Sequence, residues 1–130
     1  MIIVDDKLSL DALGGRMDFG QPVATTWSFH YRLVRALSDE RRWGTLSRAA
    51  ADQLRRVVAD PPEDRLRVLD PRTVTASAAE LAVRHGLNLL AAELVACAVH
   101  YRAELRLSAE NVGRTWADVV AAEGVALRIV

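Results

Sequence analysis

Short apolar runs alternate along this chain with longer segments in which apolar residues recur at helical spacing. The opening MIIVDD is a β-branched run that ends in two carboxylates. Such a run reads as a strand buried on both faces. Acids at its end fall at the C-terminal edge of a sheet, where α/β proteins place their sites. A short helix is predicted over about Leu8 to Leu13, ending at Gly14 and Gly15, because glycine takes the left-handed cap conformation without steric cost. After Pro22, VATT reads as a short strand whose threonines can cap the helix that follows. In that helix Trp27, Tyr31, Val34 and Leu37 recur at helical spacing.

The next helix is predicted from Leu46 to Val58. It sets Leu46, Ala50, Leu54 and Val57 on one face, puts Arg48, Asp52, Arg55 and Arg56 largely on the other, and stops before Pro61 and Pro62. RLRVLD alternates and then meets Pro71, which makes it a strand. Helices follow from Thr73 to His85, closed by Gly86, and from Asn88 to Tyr101; then come a strand at ELRLS, a helix from Arg114 to Glu123 ending at Gly124, and a last strand at VALRIV. Strands alternating with helices of this length imply right-handed crossovers. The predicted architecture is a single three-layer α/β/α domain over residues 1–130, with a central, mainly parallel sheet of four or five strands.

Composition agrees with this picture and narrows the function. With 130 residues, 51% of them hydrophobic, the chain suits one globular domain. It has no apolar run near the ~20 residues of a membrane span and no cationic leader with a cleavage site, so a cytoplasmic protein without membrane association is expected. The single cysteine, Cys97, lies in LLAAELVACAV, which excludes an internal disulfide or a cysteine metal site and reads as a buried small hydrophobe. His30, His85 and His100 have no metal-ligand spacing. The net charge is zero, which argues against strong nonspecific binding to polyanions. The middle of the chain, from Arg32 to Arg67, nevertheless has nine arginines against six acids.

Several known sites are absent. A dinucleotide fold needs G-x-G-x-x-G after the first strand, whereas Gly14-Gly15 follows the first helix; the P-loop and the G-x-S-x-G elbow are missing as well. A helix-turn-helix over AAELAVRHGLNLLAAELVACA would present a second helix with no arginine, lysine, asparagine or glutamine after Asn88 to read a base edge.

The order of elements, and four short motifs within it, resemble the PIN-domain family, including the VapC-type toxins. Asp5, ending MIIVDD, stands at the position of the family's first acid. The segment ATTWSFHYRLVRAL matches the spacing of the second, with Arg32 or, one residue earlier, Tyr31 in place of glutamate. Gly86 to Ala92 match the gly-leu-x-x-x-asp-ala helix start, with Ala91 replacing aspartate. Ser108, Ala109 and Glu110 resemble the strand-terminal thr-x-asp. Glu93 lies about 200° around the helix from Ala91 and does not substitute for the missing acid.

This resemblance implies a metal-dependent endonuclease acting on single-stranded or structured RNA, or a weakened descendant of one. Asp5, Asp6 and Glu110 would hold Mg²⁺ or Mn²⁺, Asp5, Glu110 and Ser108 would form the catalytic set, and Ser108 would orient a ligand or water. The middle arginines would contact phosphates. An antitoxin-like protein is the implied partner, and a homodimer is expected through LLAAELVACAVHY and WSFHYRLVRAL. The alternative implied by the lost acids is a catalytically inactive PIN-fold interaction module in which Arg32 neutralises Asp5. Plain structural roles stand beside these. Asp5 and Asp6 could cap the following helix, Glu110 could begin a surface helix, Ser108 could hold a neighbouring carboxylate, and Trp27, Trp43 and Trp116 could pack against the core or a partner.

Overall fold

The computed structural model describes residues 1–39, 48–113 and 115–130. Among these residues five strands form one sheet: β1 (Ile2–Val4), β2 (Val23–Thr26), β3 (Leu66–Leu69), β4 (Glu104–Leu107) and β5 (Leu127–Ile129). Their order is β3-β2-β1-β4-β5 and every pairing is parallel. The predicted mainly parallel sheet is therefore wholly parallel. Among the described residues six α-helices flank it: α1 (Asp6–Leu13), α2 (Trp27–Leu37), α3 (Arg48–Ala59), α4 (Thr75–His85), α5 (Leu89–Tyr101) and α6 (Trp116–Ala122). Leu46 and Arg114, the predicted starts of two helices, lie outside the described residues, as do Arg41, Arg42 and Trp43.

The three layers follow from the period-two alternation of side chains along each strand. On β1, Ile2 and Val4 join Leu8, Leu33, Val58 and Leu66 in one core, while Ile3 joins Leu94, Leu105 and Leu107 in the other. All three β1 residues are buried, as a central parallel strand with helices on both sides requires. Each fully buried aliphatic side chain contributes roughly 1.5–3 kcal/mol relative to exposure.

The helical spacing of α2 includes Trp27 and Tyr31, yet both are exposed, at 46% and 52%, and the residues buried from this helix are Phe29 and Leu33. In α3 the buried positions are Ala51 and Val58, and Ala50 is exposed. Val34 and Leu37 of α2 and Leu54 and Val57 of α3, all on the predicted apolar faces, are partly buried against the core, so each predicted face is covered in part and the sheet decides which of its residues are left outside. Helix α5 is buried continuously from Ala92 to Ala98. Of the two segments expected to form a homodimer surface, α5 is thus buried through its middle, while Leu89 and Val99 near its ends and Trp27 and Tyr31 of α2 are exposed.

Gly86 closes α4 in the left-handed conformation (φ 66°) with its N–H on the Ala82 carbonyl, and Asn88 opens α5 by accepting from the Ala91 N–H at 2.9 Å. Among the described residues, no single helix is long and apolar enough to cross a membrane.

Candidate functional site

In the order β3-β2-β1-β4-β5 the chain reverses its direction of growth between β1 and β4. Crevices at such a switch point, outside the carboxyl ends of the strands, are where open parallel sheets bind ligands. Asp5 leaves β1 there and Ser108 leaves β4 beside it. The strand registry, Val4 opposite Arg106, is what brings these chain segments together across 103 residues.

Asp5 is fully buried. Its Oδ1 accepts from the Leu8 N–H at 2.9 Å, capping α1. Its Oδ2 accepts from the Ser108 N–H (2.7 Å), the Ser108 hydroxyl (2.6 Å) and Asn111 Nδ2 (2.8 Å). Four donors thus converge on one carboxylate, three of them on Oδ2 and one on Oδ1. The backbone carbonyl of Asp5 also accepts from the Ser9 hydroxyl at 2.7 Å. In this arrangement Ser108 is nearly inaccessible, at 2% exposed, and its hydroxyl donates to Asp5.

Asp6 meets a different partner. Arg32 Nε donates to its Oδ2 at 2.7 Å and Arg32 Nη2 to its Oδ1 at 2.9 Å, a bidentate pair. The same Nη2 donates to Asn111 Oδ1 at 2.6 Å, and Asn111 Nδ2 also reaches Asp6 Oδ1 at 3.1 Å. The amide orientation of Asn111 follows from these neighbours, because carboxylates need its NH₂ and the guanidinium needs its oxygen. Hydrogen bonding to Asp6 holds the Arg32 guanidinium above its ordinary pKa, and attraction to Asp6 and Asp5 adds to this against partial burial. Arg32 was expected to pair with Asp5; its hydrogen bonds go to Asp6, one residue farther along, since the donors around Asp5 leave no room for a guanidinium.

Glu110 does not join this network. It lies in a 3-10 turn, Ala109–Asn111, and accepts from Lys7 Nζ at 2.7 Å with its side chain 72% exposed. That contact is the principal reason the Lys7 ammonium is held above its ordinary pKa. Among the described residues, no three histidine, cysteine, aspartate or glutamate side chains are grouped so as to hold a metal ion. A hard cation needs oxygen lone pairs turned to a common point. Here three protein donors face Asp5 Oδ2 and one faces Oδ1, the carboxylate of Asp6 faces Arg32, and that of Glu110 faces Lys7.

Neither a protein-family model nor a curated protein sequence matches the chain.

Two participants were not legible beforehand. Asn111 joins Asp5, Asp6, Ser108 and Arg32 only because a 3-10 turn folds it back, and nothing in Ser-Ala-Glu-Asn announces that turn. Sequence spacing relates Glu93 only to the acid missing at Ala91. It is buried at 3% and accepts from the Trp27 N–H (3.0 Å) and from the Ser28 hydroxyl, closing the N-terminus of α2. A carboxylate inside the apolar run LLAAELVACAV was the available signal, because a buried charge needs partners.

Proposed function

We propose that this chain is a PIN-like interaction module in which the acidic centre serves as a structural latch instead of a nuclease site. The observation that carries this reading is Asp5, whose carboxylate is fully buried and accepts four internal hydrogen bonds. A metal ligand or general base must offer a free lone pair to an ion or a substrate proton, and replacing these donors would unpair the Ser108, Asn111 and Leu8 groups. Arg32 further supports the reading, since it supplies positive charge beside Asp6 where the resemblance calls for an acid.

The latch joins three parts of the fold that a binding surface at this edge would depend on: the start of α1, the end of β4 and the middle of α2.

The test is incubation of the purified chain with single-stranded and hairpin RNA in Mg²⁺ or Mn²⁺, beside Asp5→Asn and Glu110→Gln. The expected result is no cleavage above buffer and no heat of Mn²⁺ binding by calorimetry. Metal-dependent cleavage that both substitutions abolish would overturn the module reading and establish the endonuclease.

A further inference from the structure

On the outer side of α2, beyond the latch, two grooves meet at Leu89. The first, about 440 Å³, runs between Trp27, Tyr31 and Arg35 of α2 and Leu89 and Leu90 of α5. Trp27 and Tyr31 stack with ring centroids 5.4 Å apart and planes 17° from parallel. The second groove, about 340 Å³, is an apolar trough between α4 and α5, lined by Val74, Ala78, Ala82 and again Leu89. Leu89 itself is 71% exposed.

This is a continuous apolar track with aromatic anchors, and exposed patches of this kind mark interaction sites. Its charge is one-sided. Among the described residues, no acid lines the larger groove. The one carboxylate among the described residues lining the trough, Glu93, is buried and engaged by Trp27 and Ser28. Arg32 is committed to Asp6, whereas Arg35 is exposed at the groove and makes no ion pair among the described residues.

We propose that this track docks an acidic amphipathic segment of a partner protein, its apolar side chains lying in the α4–α5 trough and against Trp27 and its carboxylates meeting Arg35. The inference rests on the interaction-module reading and gives the partner a chemistry. Helix-in-groove recognition uses apolar anchors one turn apart with charges at the rim, and the floor of small alanines allows a backbone to approach closely. A nucleic acid suits the surface less well. Tracking a phosphate backbone takes several cations, and the groove offers one uncommitted guanidinium on a chain of zero net charge. A second copy is also disfavoured: a two-fold contact would set two such patches together, each with Arg35 and no free carboxylate.

The experiment is selection of a random peptide library on the immobilised full chain, followed by anisotropy titrations of the enriched peptides. Wild type, Arg35→Glu and Leu89→Glu are compared, with a labelled single-stranded RNA and a Lys-for-Glu version of each peptide as controls. Both substituted residues are exposed, so circular dichroism melts should be unchanged. Enrichment of Asp/Glu-rich sequences with apolar residues at helical spacing is expected. Affinity should fall roughly fivefold on Arg35→Glu and about thirtyfold on Leu89→Glu. No enrichment, equal binding of the Lys-substituted peptides, or binding untouched by both variants overturns the proposal. RNA binding lost on the same variants would reassign the surface to nucleic acid, and concentration-dependent dimerisation lost on Leu89→Glu would reassign it to a second copy. RNA cleavage is read separately, so failure of the docking surface and failure of the non-catalytic reading remain distinct results.

Discussion

Asp5 Oδ2 accepts hydrogen bonds from both the backbone N–H and the hydroxyl of Ser108, at 2.7 and 2.6 Å. A single carboxylate oxygen thereby ties the end of β1 to the end of β4 at the point where the sheet's order reverses. Removing the acceptor would leave several buried donors unpaired. Asp5→Ala is expected to destabilise the fold by about 3–5 kcal/mol, and Asp5→Asn by about 2–3 kcal/mol, in urea unfolding. A change under about 1 kcal/mol for Asp5→Ala would mean that the latch is not structural.

Glu110 should behave in the opposite way. Its pairing with Lys7 is solvent-exposed on both sides, and such pairs contribute little. Glu110→Gln is expected to leave stability unchanged within measurement error, with the Lys7 amine titrating nearer its ordinary value by NMR. The contrast with Asp5 is the informative quantity, because a shared metal site would make both substitutions costly or both functional.

Glu93 offers a third test. It caps α2 from α5, so Glu93→Ala would unpair the Trp27 N–H and the Ser28 hydroxyl. A loss of about 2–3 kcal/mol is expected, with Trp27 fluorescence changing as the start of α2 frays. Glu93→Gln, which keeps one acceptor, should lose less.

Histidine 30 makes stability depend on pH. Burial pushes its pKa below the ordinary 6.5, partly offset by a hydrogen bond involving the Ala59 backbone, and among the described residues its Nδ1 is buried without a partner. The unfolded chain therefore takes up a proton first as pH falls. Stability present above pH 6.5 is lost as pH drops toward the folded-state value, with a slope under about 1.4 kcal/mol per pH unit that partial exposure reduces further. His30→Phe is expected to flatten this part of the profile in denaturant titrations at stepped pH. An unchanged slope would remove His30 as its source.

Glu123 adds an acid limb. It accepts from His85 Nε2 at 2.9 Å and from Arg84 Nη1 at 2.8 Å, joining α4 to α6. The hydrogen bond with His85 is the main reason its carboxyl is held below 4.5. Its contribution is present above that ordinary value and lost as pH falls through the lower, folded-state one. Glu123→Gln should therefore lower the melting temperature at neutral pH and have progressively less effect in acid.

Pattern alone established that this chain is an α/β domain and where most of its elements lie. The run MIIV reads as a strand because a central parallel strand is covered on both faces and tolerates no polar position. Gly86 and Pro71 mark element ends through backbone constraints that act within a few residues. The same local reading placed Asp5 at a strand end and Ser108 near another. What the tertiary structure decided is which side of each group faces which neighbour. Glu110 stands two residues beyond Ser108, yet a 3-10 turn sends it to Lys7 at the surface and brings Asn111 back to Asp5. Arg32 reaches Asp6 because Asp5 is already surrounded. Trp27 and Tyr31 share a helical face that the sheet leaves uncovered. Spacing along a chain fixes a residue's height and angle on its own element, whereas hydrogen-bond saturation and burial depend on contacts between elements far apart in sequence, and those contacts decide whether a carboxylate is a ligand or a latch.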